Sequence, residues 1–140
     1  MEITITIDVE SALQQLDGIK ENLDWNNLSY ILDQDLREGL ESMVQLAKEW
    51  CPVDTGRLRE TIRFEGGPFT YHFIADPKNP KTGKGYAIFP EMGTSKQIEQ
   101  PYMRPAVDSV MPEILERMFV DIRTLIRGGL TKIYRILGVV

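Results

Sequence analysis

Between Asn27 and Trp50 the sequence sets Leu28, Ile31, Leu32, Leu36, Leu40, Met43, Val44, Ala47 and Trp50 at three- and four-residue steps. That spacing draws one broad apolar stripe along an α-helix, and a stripe this wide must be covered by other parts of the fold. Asp33, Glu38, Glu41 and Glu49 fall mainly off the stripe, as a solvated face requires. Pro52 drives Cys51 out of helical geometry and ends the helix. The rest of the chain has to supply the cover.

A second stripe, Val107, Met111, Ile114, Leu115, Met118, Ile122 and Leu125, predicts a helix opened by Pro105 and running to Arg127. Pro112 lies inside it and costs about 3 kcal/mol if the helix is continuous. Arg123 and Arg127 suit its negative end, and Gly128-Gly129 predicts its stop. Strict alternation over Glu2–Val9 predicts a β-branched strand with Ile3, Ile5, Ile7 and Val9 on one face. Ser11 is placed to cap a short helix bearing Leu13, Leu16 and Ile19. Arg57 onward reads as one helical turn, then a hairpin with arms Thr61–Glu65 and Phe69–Ala75 around Gly66-Gly67-Pro68. Tyr86–Phe89 reads as a further short strand closed by Pro90. Asp76–Gly85, crowded with breakers, reads as an exposed, mobile loop. The expected architecture is a single α+β domain over residues 1–127, its two long helices packed on a small antiparallel sheet. Residues 128–140 form an extension, with Leu130–Val140 expected to dock on the domain or on a neighbour.

Composition narrows the function classes. No apolar run reaches the ~18–20 residues of a membrane span, and MEITITIDVE carries acids where a secretion signal needs Lys or Arg. One cysteine and one histidine leave neither a disulfide framework nor a Cys/His zinc site, and no cofactor-binding motif appears. Residues 1–50 carry eleven acids against three bases, whereas the rest of the chain is mildly basic. A net charge of −5 argues against a protein that grips nucleic acid through a dense basic face.

Candidate chemistry is sparse. Lys81-Thr82-Gly83-Lys84-Gly85 holds part of a phosphate-binding loop, but Lys78 stands where the first glycine belongs and Gly85 where Ser or Thr belongs. Lys78, Lys81 and Lys84 are candidate interface residues, and a DNA-binding accessory protein acting through them is one alternative. A small thiol enzyme using Cys51 with His72 as base is another, although no spacing brings the two together. The expectation is a non-enzyme.

Two clusters are more distinctive. The first runs from Ala47 to Ile62 and contains Pro52-Val53-Asp54-Thr55-Gly56-Arg57-Leu58-Arg59. The second is Tyr86-Ala87-Ile88-Phe89-Pro90-Glu91-Met92-Gly93-Thr94, followed by Gln100-Pro101-Tyr102-Met103-Arg104-Pro105-Ala106. In this order they resemble the neck or tail-completion proteins of tailed bacteriophages, over roughly Leu28 to Met118. The resemblance implies that Pro52, Asp54, Thr55, Gly56 and Leu58 form the turn between the long helix and the sheet. It implies that Glu91, Gly93 and Thr94 close a central strand, and that Pro101, Arg104, Pro105 and Ala106 lead into the last helix. Arg104 and Glu91 join the lysines as candidate interface residues. The function so implied is structural, at the head–tail interface of a virion, after synthesis in the host cytoplasm. The partners are further copies of the chain in a ring (a hexamer), the head connector or adaptor, and the tail tube. DNA passes through without sequence-specific binding, and no membrane or cofactor is involved.

Overall fold

The computed structural model of the protein describes residues 1–8 and 25–136. The alternation at the start becomes β1 (Glu2–Thr6), whose Ile5 is buried while Glu2, Thr4 and Thr6 face out. The apolar stripe becomes α1 (Trp25–Trp50), followed by the short α2 (Arg57–Thr61). The hairpin forms as β2 (Arg63–Gly66) and β3 (Thr70–Ile74). Strand order is β1-β3-β2, antiparallel throughout, with Ile5 opposite Tyr71 and Phe64 opposite Phe73. The fold is therefore α+β, as expected. The first strand ends at Thr6, short of the expected Val9, and the short helix expected from Ser11 lies outside the described residues.

Two expectations are corrected. Tyr86–Phe89 is not a strand; the segment turns into α3 (Ile88–Met92), so β3 is the central strand and Glu91 does not close it. Pro90 sits within the first turn of α3, where a missing N–H costs nothing, and so it does not terminate the element. The last helix, α4 (Met103–Ile136), passes through Pro112 and does not stop at Gly128-Gly129. Residues 128–136 thus continue α4 rather than leaving it. The docking expected of Leu130–Val140 falls where side chains are not described.

The stripe of α1 is covered from two sides. The inner face of the sheet (Ile5, Tyr71, Phe73) and α4 (Met103, Ala106, Val110, Ile114, Met118) share one core with Leu28, Leu32, Leu36, Leu40, Met43 and Ala47. Asp33, at the margin of the stripe, ties α1 to the sheet, since one of its oxygens accepts hydrogen bonds from the Tyr71 hydroxyl (2.8 Å) and the Phe69 N–H (3.2 Å). Burial, reinforced by Asp33, pushes the Tyr71 phenol up to about 12.

The two helices run antiparallel, because Asp35 meets Asp121, Glu38 pairs with Arg117 at 2.9 Å, and Gly39 faces Ile114. Gly39 is a point of close approach. A Cβ there would stand 2.1 Å from Ile114 Cγ1. Asp35 is 8% exposed, and its Oδ2 has no hydrogen-bond partner. Burial first, and then the hydrogen bond and repulsion from the Asp121 carboxyl, raise Asp35 to about 6, against the opposing pull of Arg117. Two carboxyl groups in contact hold one proton between them more readily than two full charges.

Candidate interaction groove

The first motif cluster breaks down into separate mechanical roles. Pro52 ends α1. Gly56 caps α2 at φ +82°, with no side-chain capping bond and open space around it, so the left-handed backbone rather than crowding calls for glycine. Asp54 and Thr55 lie in the turn that leads to α2, and both are exposed. Leu58 is buried in the core. Arg59 donates from Nε to the Lys48 carbonyl at 2.9 Å, placing a cation on the negative end of α1. The motif is a clamp across the α1–α2 corner, with Val53, Asp54 and Thr55 left facing outward.

The second cluster is a clamp at the opposite pole of a helix dipole. Glu91 is fully buried. Its Oε2 accepts from the Tyr102 N–H (2.7 Å) and the Met103 N–H (3.0 Å), and its Oε1 accepts from the Arg104 N–H (2.9 Å). These are the donors that the start of α4 would otherwise leave unpaired, and the next residue, Pro105, has no N–H to satisfy. Arg104 folds back, its Nε donating to Glu91 Oε1 at 3.1 Å and a terminal nitrogen to the Glu91 carbonyl at 3.2 Å. Burial alone would raise the Glu91 pKa. The N–H groups of Tyr102, Arg104 and Met103, with the Arg104 guanidinium, outweigh it and hold the carboxyl below its ordinary range. Glu91 therefore presents nothing to a partner, and the head group of Arg104 is already engaged. Tyr102 donates its hydroxyl to the Ala87 carbonyl at 2.9 Å, completing the tie between α3 and α4.

After α3 the chain doubles back through a tight turn. Gly93, at φ +73°, donates its N–H to the Phe89 carbonyl, and Thr94 pairs with Gln97 through backbone bonds of 2.8 and 3.3 Å. Pro101 leads into α4 beside Arg104 and Pro105 on a shallow surface depression.

The two clusters meet at one place. Pro52 through Leu58 line a groove of about 400 Å³ together with Tyr86, Phe89 and Pro90. Asn79, Pro80 and Gln97 complete its lining. Val53 and Phe89 bring exposed apolar side chains to it, among polar neighbours that include Asp54, Thr55, Arg57, Asn79 and Gln97. Lys78, Lys81 and Lys84 flank Asn79 and Pro80 on the loop that borders it.

That loop is more organised than its composition implies. Arg63 holds Asp76 through two bonds, of 2.7 and 3.2 Å. Pro77 is buried, Lys78 bridges Gly85, and the Asn79 N–H donates to the Lys84 carbonyl at 2.9 Å. Asn79 Oδ1 accepts the Lys81 N–H at 2.9 Å, an Asx turn. The breakers therefore build a closed hairpin whose lysine side chains point to solvent.

Cys51 and His72 do not come together. Cys51 is buried at the end of α1, its thiol directed at the Lys48 carbonyl (3.3 Å) and pushed up by burial, the opposite of an activated thiolate. His72 lies on the outer face of β3, 2.7 Å from Glu2 and 3.3 Å from Thr4. Among the described residues, no three His, Cys, Asp or Glu side chains are placed to hold a metal ion, and no helix is long and apolar enough to cross a membrane.

Compared with known proteins, the chain matches no protein-family model, no curated protein and no solved structure.

Proposed function

We propose that the protein is a structural, non-enzymatic component of a tailed-phage virion, joining or completing the tail at the head–tail interface as one subunit of a ring. The observation that carries this reading is the groove. Two sequence clusters, separated by the whole hairpin and both resembling those of neck and tail-completion proteins, converge on one groove that carries exposed apolar side chains and borders the lysine-bearing hairpin. Their buried members clamp helix ends beside the groove, and exposed apolar side chains with a charged border are suited to docking other subunits. The head connector and the tail tube are the proposed neighbours on either side. The acidic first third of the chain is suited to line a channel through which DNA slides without being held. The chain acts in the assembled virion, after synthesis in the host cytoplasm.

Disrupting the gene in the phage and imaging the particles tests this reading. DNA-filled heads beside separate, complete tails are expected, because a joining protein acts after both parts exist. Normal joined particles would overturn the proposal. Loss of phage DNA synthesis would instead favour the DNA-binding alternative that uses Lys78, Lys81 and Lys84.

A further inference from the structure

The groove has a counterpart on the same molecule. On α4, Leu115 and Phe119 are exposed one turn apart, Phe119 to 68%. Asp108, Leu115, Glu116 and Phe119 share an arc of about 100° on the helix. Asp108 and Glu116 give this arc its acids, while Arg117, the base beside Glu116, is engaged by Glu38 across the helix pair. The groove has the opposite sign, with Arg57 in its lining and Lys78, Lys81 and Lys84 on the hairpin that borders it. Even the minority charges match. Asp54 is the one acid lining the groove, and Arg123 lies on the same α4 face as Phe119.

The two surfaces cannot meet within one copy. The groove is tied through Glu91 to the first turn of α4, and Phe119 lies sixteen residues further on, about 24 Å along a rigid helix. A surface and its complement held this far apart make head-to-tail contacts between copies, and such contacts close into a ring when the rotation allows.

We infer that the groove of one copy receives the exposed face of α4 from the next, with Phe119 and Leu115 packing against Val53 and Phe89 while Asp108 and Glu116 face the lysines. The occupant is thus a second copy of this chain. The inference rests on the ring reading above and gives that ring its contact. Apolar side chains of this size supply the buried anchor of an interface, and the charged border sets orientation and register.

The test uses the full chain in two single-cysteine additions, Gln97→Cys at the groove and Glu116→Cys on α4, with a short bis-maleimide. Wild type, whose Cys51 is buried, is the control. Mixing the two variants is expected to give cross-linked dimers, while neither variant gives them alone. Light scattering reads the same contact independently. Reversing Lys78, Lys81 and Lys84 to Glu should weaken association at least tenfold without lowering the melting temperature, and adding Asp108→Lys and Glu116→Lys to that chain should restore it. Cross-links within either variant alone would mean a two-fold contact and overturn the inference. Association that ignores the reversals would also overturn it, leaving a ring built on other faces. If wild type is monomeric at every concentration while the lysine reversal lowers infectious particle yield, the groove serves a different protein; self-docking is then wrong and the virion role stands.

Discussion

Glu91 and Asp35 are both carboxylates buried on folding, one at the start of α4 and the other where α1 crosses it, and their surroundings push them in opposite directions. Glu91 meets three N–H groups and a guanidinium, so its charge replaces hydration with fixed donors. Asp35 meets a second carboxyl, with only Arg117 to offset it, and one of its oxygens has no partner. Burial sets the stakes at both sites, and the partners decide the sign. The end of α4 beside the groove is thus fastened by its charge, whereas the crossing further along is loosened by one.

The largest expected effect breaks the first half of this comparison. Glu91→Ala strands three backbone donors at the start of α4 and releases Arg104, at a cost of about 3–5 kcal/mol. Urea unfolding should show the midpoint falling accordingly. A loss below about 1 kcal/mol would mean that water replaces the carboxylate and that the clamp is ornamental.

Next comes pH. The Asp35 pKa is raised on folding from 3.8 to about 6, so the folded chain holds its proton more tightly over that window. Its contribution is favourable below about pH 4 and is lost as pH rises through 6, a swing of up to about 3 kcal/mol. Glu91 behaves oppositely. Its contribution is in place above the ordinary value of 4.5 and is lost as pH falls through its lowered folded value. Stability should therefore peak near pH 4, a figure that follows roughly from the two windows. Asp35→Asn should remove the decline on the neutral side and leave the acid limb intact. A wild-type profile that is flat from pH 5 to 8 would show that folding leaves no extra proton at this crossing.

A smaller effect probes the same crossing without charge. Gly39→Ala gains about 1 kcal/mol of helix propensity but forces Ile114 out of its place. A net loss of about 1–2 kcal/mol is expected, read from the thermal midpoint. A gain would mean that α4 can shift to accommodate a methyl group and that the crossing is loose for reasons beyond Asp35.

How far these features can be read from the sequence depends on how local their causes are. The stripe of α1, the alternation of β1 and β3, and the stop at Pro52 are set by neighbours within a few residues, and all were legible. Tyr86–Phe89 was misread because four residues are too few to reveal a period, and because Pro90, taken as a terminator, is also at home in a helix's first turn. Gly128-Gly129 was misread because two glycines cost a helix only about 2 kcal/mol, which does not by itself end it. Asp35 and Gly39 stand four residues apart in register with Leu32 and Met43, so the stripe did contain a carboxylate and a gap; read alone, neither says what faces it. Glu91 left a fainter trace. Tyr102 precedes α4 where a capping Ser, Thr, Asp or Asn would usually stand, and a helix start without its own cap implies one brought from elsewhere. The groove depends on this distant closure, so the clusters that line it were visible as motifs but not as one site.

The smallest expected effect concerns the hairpin of Asp76–Gly85 and asks whether the groove's border belongs to the fold or to its partner. The hairpin is held by backbone bonds at Asn79, Gly83 and Tyr86, by the Asn79 side chain, and by the Arg63 pair with Asp76. None of these uses a lysine side chain. Replacing Lys78, Lys81 and Lys84 together by Ser should therefore move stability by less than about 0.5 kcal/mol, the ordinary range for exposed positions. The same substitution should reduce infectious particles in a complementation assay, because it removes the charge that steers and registers a docking surface. A protein that melts many degrees earlier would place the lysines in the fold. Unchanged stability with unchanged particle yield would make the hairpin a tolerated insertion and leave the groove's exposed apolar side chains to account for docking alone. Only a chain that is stable and fails to assemble fits a border made for a partner, and it would set the lysines apart from both buried carboxylates as charge that the fold does not need.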